Sequence, residues 1–210
     1  MSGRITMLGL ITLGMAALQA APAAAQERTG SQELQIYAGE MFGDRLSGAP
    51  LSGRHPVLDD DAVFGGSYTY DFTDEWGLQL SAGYSPSRTG HVLSGDANLG
   101  LTTLDLDVLW NITPGLSLNE HPLVPYTEVG IGYVWSDLNH PLYGVTGTTP
   151  VVLTDSNGYT ANAGFGVKYY ITDSFFVDFD ARYRYLNRLI NNDRQGLNTA
   201  QTTLSLGYQF

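Results

Sequence analysis

The chain has 210 residues, 25 of them glycine and none cysteine, with 10 Lys plus Arg against 21 Asp plus Glu for a formal charge of −11. So acidic a chain is a poor partner for nucleic acid, and without cysteine it is neither disulfide-stapled nor a Cys-anchored lipoprotein. Its mean hydropathy is near zero, which does not exclude a membrane location, because only one face of each spanning β-strand meets lipid.

Arg4, the uncharged run Ile5 to Leu18 and the small residues Ala23-Ala24-Ala25 form the pattern of a secretory signal peptide cut after Ala25. The apolar run has 14 residues, short of the roughly 17–25 that a helical span needs. No later segment holds 18 consecutive apolar residues. The expected organisation is therefore a signal peptide over 1–25 and one β-barrel domain over 26–210. Removing the leader takes away Arg4 alone and leaves 185 residues with a net charge of −12.

Period-2 alternation then marks eight strands. The first is expected over Gln32 to Phe42, with Leu34, Ile36 and Ala38 on one face. Gly43 to Asp60 reads as a loop without regular structure. The second strand, Asp61 to Phe72, and the third, Trp76 to Ser85, flank the tight turn Thr73-Asp74-Glu75, with aromatics gathered near that turn. Pro86 to Asn98 reads as a polar loop. The fourth strand carries Thr102, Leu104, Leu106, Val108, Trp110 and Ile112 on one face, and Leu109 breaks the polar phase of the other. After an intermediate turn over Thr113 to Pro122 comes the fifth strand, with Val129, Ile131, Tyr133 and Trp135 opposite Tyr126, Glu128, Gly130 and Gly132. Ser136 to Ser156 is the longest predicted loop. The sixth strand runs from Tyr159 to Ile171, and Thr172-Asp173 turns into the seventh. That strand places Phe175, Val177, Phe179, Ala181, Tyr183 and Tyr185 against Phe176, Asp178, Asp180, Arg182 and Arg184. Asn187 to Asn198 is a loop, and Thr202, Leu204, Leu206, Tyr208 and Phe210 form one face of the eighth strand.

Long and short connections alternate, and the apolar faces end in Tyr, Trp and Phe. That is the grammar of an all-β, eight-stranded antiparallel transmembrane β-barrel with long extracellular loops and short periplasmic turns. An even strand number puts both termini on the periplasmic side of the outer membrane of a Gram-negative bacterium. A ten-stranded barrel fits the length but lacks two strands in the pattern, and a soluble sandwich has no use for outward aromatic rings.

Three segments carry a resemblance. They are Pro125-Tyr126-Thr127-Glu128-Val129-Gly130-Ile131-Gly132-Tyr133, Ala163-Gly164-Phe165-Gly166-Val167-Lys168-Tyr169-Tyr170-Ile171, and the ending Gly207-Tyr208-Gln209-Phe210. With them the chain resembles the small eight-stranded outer-membrane barrels, most nearly the OmpW-like group. OmpX-like and OmpA-type barrels share the same architecture. The resemblance implies passive transport of small apolar molecules through a narrow apolar pocket that opens outside and discharges sideways into the membrane. It also implies that the strand ending at Phe210 is read by the outer-membrane insertion machinery. The expected partners are outer-membrane lipids, lipopolysaccharide, that machinery and small apolar solutes. The alternative is a non-enzymatic structural or surface-interaction barrel with a plugged polar lumen.

The inward face is expected to carry Asp71, Asp105, Asp107, Glu128, Lys168, Asp178, Asp180, Arg182 and Arg184. Eight strands enclose room for side chains and little else, so these charges are read as a salt-bridge plug linking strands four to seven, against a polar conduit as the rival. Register alone leaves open which carboxylate meets Arg182 or Arg184. The inward glycines lack a phosphate-loop spacing and are read as space for Tyr126, Lys168 and Arg182. His55, His91, His121 and His140 lie in connections without zinc spacing, and Ser85 with His91 is too little for a hydrolase. Asp59-Asp60-Asp61 and Asp96 lack calcium-loop spacing. No catalytic, cofactor-binding or metal-binding residue is therefore assigned, and the protein is read as no enzyme. If an apolar pocket exists, Val145, Val151, Val152 and Leu153 of the longest loop are expected to line it.

Overall fold

The computed structural model describes residues 28–43, 57–90, 97–112, 116–118, 121–139, 141–146, 149–187 and 196–210. The leader predicted over 1–25 lies outside these residues. Eight long strands form the wall: β1 (Gln32–Phe42), β2 (Asp61–Asp71), β3 (Trp76–Gly90), β4 (Ala97–Asn111), β5 (His121–Leu138), β6 (Asn157–Tyr170), β7 (Phe175–Asn187) and β8 (Gly196–Gln209). Each pairs antiparallel with its chain neighbours, and β8 pairs with β1 from Glu33↔Gln209 to Phe42↔Ala200, so the sheet closes on itself. Closure is what lets a β-structure cross lipid, since it leaves no unpaired edge.

The faces follow the predicted phase. Leu104, Leu106, Phe179 and Leu206 point outward and are exposed, whereas Asp107, Asp180 and Lys168 point inward and are buried. Two rings of aromatics border the outward band. Near the short turns Trp76 stacks on Trp110 with centroids 6.3 Å apart, and Phe175 meets Tyr208 at 4.9 Å. Near the loops Tyr133 packs edge-on against Trp135 and Tyr159. The two ends of the wall are tied by reciprocal backbone bonds between Gln32 and Phe210.

The connections depart from expectation. The segment read as the loop Pro86–Asn98 mostly continues β3 and β4, which stay paired up to Thr89↔Ala97. The ladder needs no apolar residues, so it persists where alternation in hydrophobicity has stopped. The supposedly irregular stretch Gly43–Asp60 contains a short strand, Val57–Leu58, paired with Gly90 and Thr89. The turn Thr113–Pro122 contains Leu116–Leu118, which pairs back on β5. The longest loop is shortened by β5, which runs to Leu138, and it carries its own hairpin, Leu142–Thr146 against Thr149–Leu153, as a sheet separate from the barrel.

One stretch of the wall is not laddered. Pairing between β2 and β3 runs from Asp71↔Gly77 to Phe64↔Tyr84 and stops. Continuing that register sets Ala62 opposite Pro86, which has no N–H to give. The Ala62 carbonyl instead accepts the Ser85 hydroxyl at 2.8 Å, and the Ala62 N–H donates to the Asp61 side chain at 3.1 Å. Towards the loops the two chains rejoin where the Asp59 N–H donates to the Arg88 carbonyl at 3.0 Å. The result is a short window in the hydrogen-bonded wall, bounded at both ends.

Candidate functional site in the barrel lumen

From the turn end to the loop end the lumen has three levels. The lowest is charged. Glu33 of β1 is fully buried and bonds the Lys168 ammonium of β6, the Tyr170 hydroxyl at 3.0 Å and the Arg28 guanidinium at 2.7 Å. Arg28 precedes β1, and its side chain enters from below, 3.5 Å from Asp71 of β2 and 2.7 Å from Tyr170. Its backbone is clasped outside, where the Asp74 carboxylate accepts the Arg28 N–H, the Thr29 N–H and the Thr29 hydroxyl at 3.0, 3.0 and 2.9 Å. Gly30, at φ +83°, turns the chain between that clasp and β1. Sequence reasoning missed Arg28 because it lies before the first alternating segment, and it left Glu33, on the polar face of that segment, out of the inward charges.

The second level joins β4 to β7. Arg182 lies 3.0 Å from Glu128, 2.9 Å from Asp180 and 3.7 Å from Asp107, and Arg184 lies 2.9 Å from Asp105. Thr160 of β6 donates to Asp105 at 2.6 Å. The expected salt-bridge linkage is present among β4, β5 and β7, whereas β6 joins it through the Thr160 hydroxyl and sends Lys168 to Glu33 of β1 instead. Between the levels Tyr126 donates to Asp178 at 3.0 Å, and the Lys168 ammonium lies over its ring. Tyr126 fits because Gly166 faces it: a Cβ there would lie 2.4 Å from the ring. Across both levels Arg28, Lys168, Arg182 and Arg184 face seven carboxylates, so the lumen wall is acidic. Such networks cost desolvation and return it through strand-to-strand bonds.

The third level is apolar. Met41, Val63, Leu99, Leu101, Val134, Leu186 and Leu197 point inward from β1, β2, β4, β5, β7 and β8, and Leu58 joins them from the short strand between β1 and β2. All are at most 4% exposed. This cap lies beside the window between β2 and β3, to which it contributes Val63.

Among the described side chains this level takes none from the longest loop. Val152 is exposed on the separate hairpin, and the side chains of Val145, Val151 and Leu153 lie outside those described. The cap escaped sequence reasoning because its members come one or two at a time from the loop-side parts of strands, where alternation fades. His121 packs edge-on against Tyr169, whereas His55, His91, His140 and Asp96 lie outside the described residues. Ser85 bonds Ala62 and shares a hydrogen bond with Ser87 at 2.9 Å. Among the described residues no group of three or more His, Asp or Glu, Asp59 to Asp61 included, is placed to hold a metal ion.

The family model for an outer membrane protein β-barrel domain matches residues 10–210. Outer membrane porin F of Pseudomonas aeruginosa is 27% identical over 210 residues, covering 97% of this chain and 51% of the relative. The chain thus spans about half the length of that protein. Neisserial surface protein A superposes with a TM-score of 0.60 at 12% identity, over 86% of this chain and 99% of the other. The outer membrane protein OprG of P. aeruginosa does so at 0.58 and 16%, over 89% and 98%. At these identities the two structures speak for the fold alone.

Proposed function

The chain belongs to the outer membrane protein β-barrel domain family, and from that premise we propose that it is a carrier of small apolar molecules and not an open pore. It is a small β-barrel of the Gram-negative outer membrane. In the proposed arrangement both termini and the turns at Asp74 and Asp173 face the periplasm, and the hairpin Leu142–Leu153 faces outside. Protease added to intact cells is then expected to cut the hairpin and spare both turns.

The observation that carries this reading is the pairing of an apolar cap with a window in the wall beside it. A small apolar molecule arriving at the loop end exchanges water for the cap, gaining about 25 cal/mol per Å² of buried surface. Downward movement brings it against buried ion pairs, whose own solvation it cannot replace. Sideways, between Ala62 and Pro86, the wall is held by the one side-chain bond from the Ser85 hydroxyl to the Ala62 carbonyl. That window lies next to the outward-facing Phe64 and Tyr84, at the level where aromatics mark the membrane interface.

The test is uptake of a small apolar compound into proteoliposomes by the parent protein and by Pro86→Ala. The variant regains an N–H for the Ala62 carbonyl and is expected to transport more slowly, with both proteins lacking stable conductance in planar bilayers. Unchanged uptake against protein-free vesicles across a panel of such compounds would remove the reading. A second reading, a structural barrel with a plugged polar lumen, is favoured by the tight burial of the cap and of both charged levels.

A further inference from the structure

One rung across the inner face of the wall, just below the window, carries Tyr37, Gly65, Gly83 and Thr103. Tyr37 of β1 pairs with Gly65 of β2, Gly65 with Gly83 of β3, and Gly83 with Thr103 of β4. The pair Phe64↔Tyr84, where the β2–β3 ladder stops, is the next one up. Two glycines side by side leave the middle of the rung without side chains, and the flanking residues reach in from both ends. The Tyr37 ring lies over Gly65, where a Cβ would overlap it, and its hydroxyl donates to the Ala82 carbonyl at 3.1 Å. A Cβ on Gly83 would fall 2.7 Å from the Tyr37 oxygen and 3.0 Å from the Thr103 hydroxyl, so the two oxygens meet over this glycine. Tyr37 and Thr103 are half-buried, although Ser81, Ser85, Leu101, Asp105 and Val134 around them are at most 3% exposed. The open space in this part of the lumen therefore lies beside the paired oxygens. Apolar side chains adjoin it. Val63 and Leu101 of the cap are the next inward residues above Gly65 and Thr103, and Val134 pairs with Thr103.

We propose that the Tyr37 and Thr103 hydroxyls form the polar end of the solute site and select small phenols and apolar alcohols over hydrocarbons of the same size. A buried hydroxyl costs free energy unless it is hydrogen-bonded. A solute hydroxyl brings one hydrogen and two lone pairs. The Tyr37 oxygen has given its hydrogen to Ala82 and keeps lone pairs for the hydrogen of the solute. Among the described residues no hydrogen bond engages the Thr103 hydroxyl, so its hydrogen is available to the solute oxygen. An acceptor and a donor side by side match an alcohol and offer a hydrocarbon nothing. The apolar body of the solute then meets Val63, Leu101 and Val134. Reaching this pair takes the solute no lower than the rung beneath the window, above Asp105 and its ion pair with Arg184. Such selectivity names the solute class of the proposed carrier and rests on that reading for its biological meaning, whereas the site itself is open to a test by binding alone.

The experiment is methyl NMR of the full barrel in lipid nanodiscs, titrated with phenol and with benzene at known free aqueous concentration, on the parent protein, Thr103→Val and Tyr37→Phe. Each variant keeps the shape of its residue and removes one hydroxyl. The methyls of Val63, Leu101 and Val134 report the site, and those of Leu104 and Leu206 report partition into lipid. In the parent the inner methyls are expected to shift saturably with phenol, with affinity roughly tenfold above that for benzene, the net worth of one hydrogen bond. Each variant is expected to lose most of that preference and to bind benzene as the parent does. Equal affinity for phenol and benzene in the parent, or a preference that survives both variants, would overturn the inference. So would inner methyls that respond no more saturably than the lipid-facing ones, the result for a niche that holds only water. The expected preference in binding, with no uptake of either compound into proteoliposomes, would leave the site standing and remove the carrier reading.

Discussion

Glu33 serves two cations at once, Lys168 and Arg28, with Tyr170 as a third donor. Glu33→Gln leaves both cations facing a neutral amide in a dry floor. Removing one partner of a buried ion pair costs about 3–5 kcal/mol, and that loss is expected in the urea unfolding of the barrel in lipid vesicles. Asp74 sits outside the membrane, on the turn between β2 and β3. The Arg28 N–H first, then the Thr29 hydroxyl and N–H, hold its carboxyl below the ordinary carboxylate range. A carboxyl lowered in the folded state contributes its stabilisation above its ordinary value, about 3.9, and loses it as pH falls through the lower folded value. The clasp on Arg28 and Thr29 is therefore complete at neutral pH and opens in acid below about pH 4. Hydrogen-exchange protection of these two amides, corrected for intrinsic rates, is expected to fall there. Asp74→Asn is expected to lack most of that protection at every pH, and parent protection that stays level through this range would refute the clasp.

At the scale of the strand, legibility followed the lipid. Where one face meets hydrocarbon and the other a polar lumen, residue type alternates strictly, and the faces of β7 from Phe175 to Tyr185 and of β8 from Gln201 to Gln209 are as read, whereas Asn187 and Gly196 to Asn198, read as loop, extend these strands. Leu206→Arg, on the lipid face of β8, is expected to cost about 2–4 kcal/mol, whereas Ser205→Arg meets crowding in the lumen and not hydrocarbon. Equal urea midpoints for the two variants would contradict the assigned faces. Beyond the hydrocarbon that pressure ends. Pro86 to Gly90 stays in β3 with polar and small residues, so composition alone reads it as loop. Pro86 was read as the start of a loop; that it instead interrupts one ladder depends on the register from Phe64↔Tyr84, which places it opposite Ala62. The charged residues of the second lumen level were legible from parity. Their partners were not, because a pair such as Arg184 and Asp105 lies across the barrel from β7 to β4, not side by side on adjacent strands. The cap was least legible, since it is assembled from one or two residues of each of six strands and one from the short strand Val57–Leu58.

For the whole molecule, a closed ring of eight strands leaves a lumen that side chains can fill. Here they fill it with two charged levels and an apolar cap, and among the described residues the β2–β3 ladder is interrupted where Pro86 faces Ala62. The central claim is that solute leaves through this window and not down the axis. Val63 and Ser85 are the next residues past the last laddered pair, Phe64↔Tyr84, on the inner face. The chain has no native cysteine to interfere. The most direct measurement is therefore apolar-solute uptake by the Val63→Cys, Ser85→Cys double variant in proteoliposomes, oxidised and then reduced. The account predicts that the disulfide across the window stops uptake and that reduction restores it. Uptake that ignores the disulfide would contradict it.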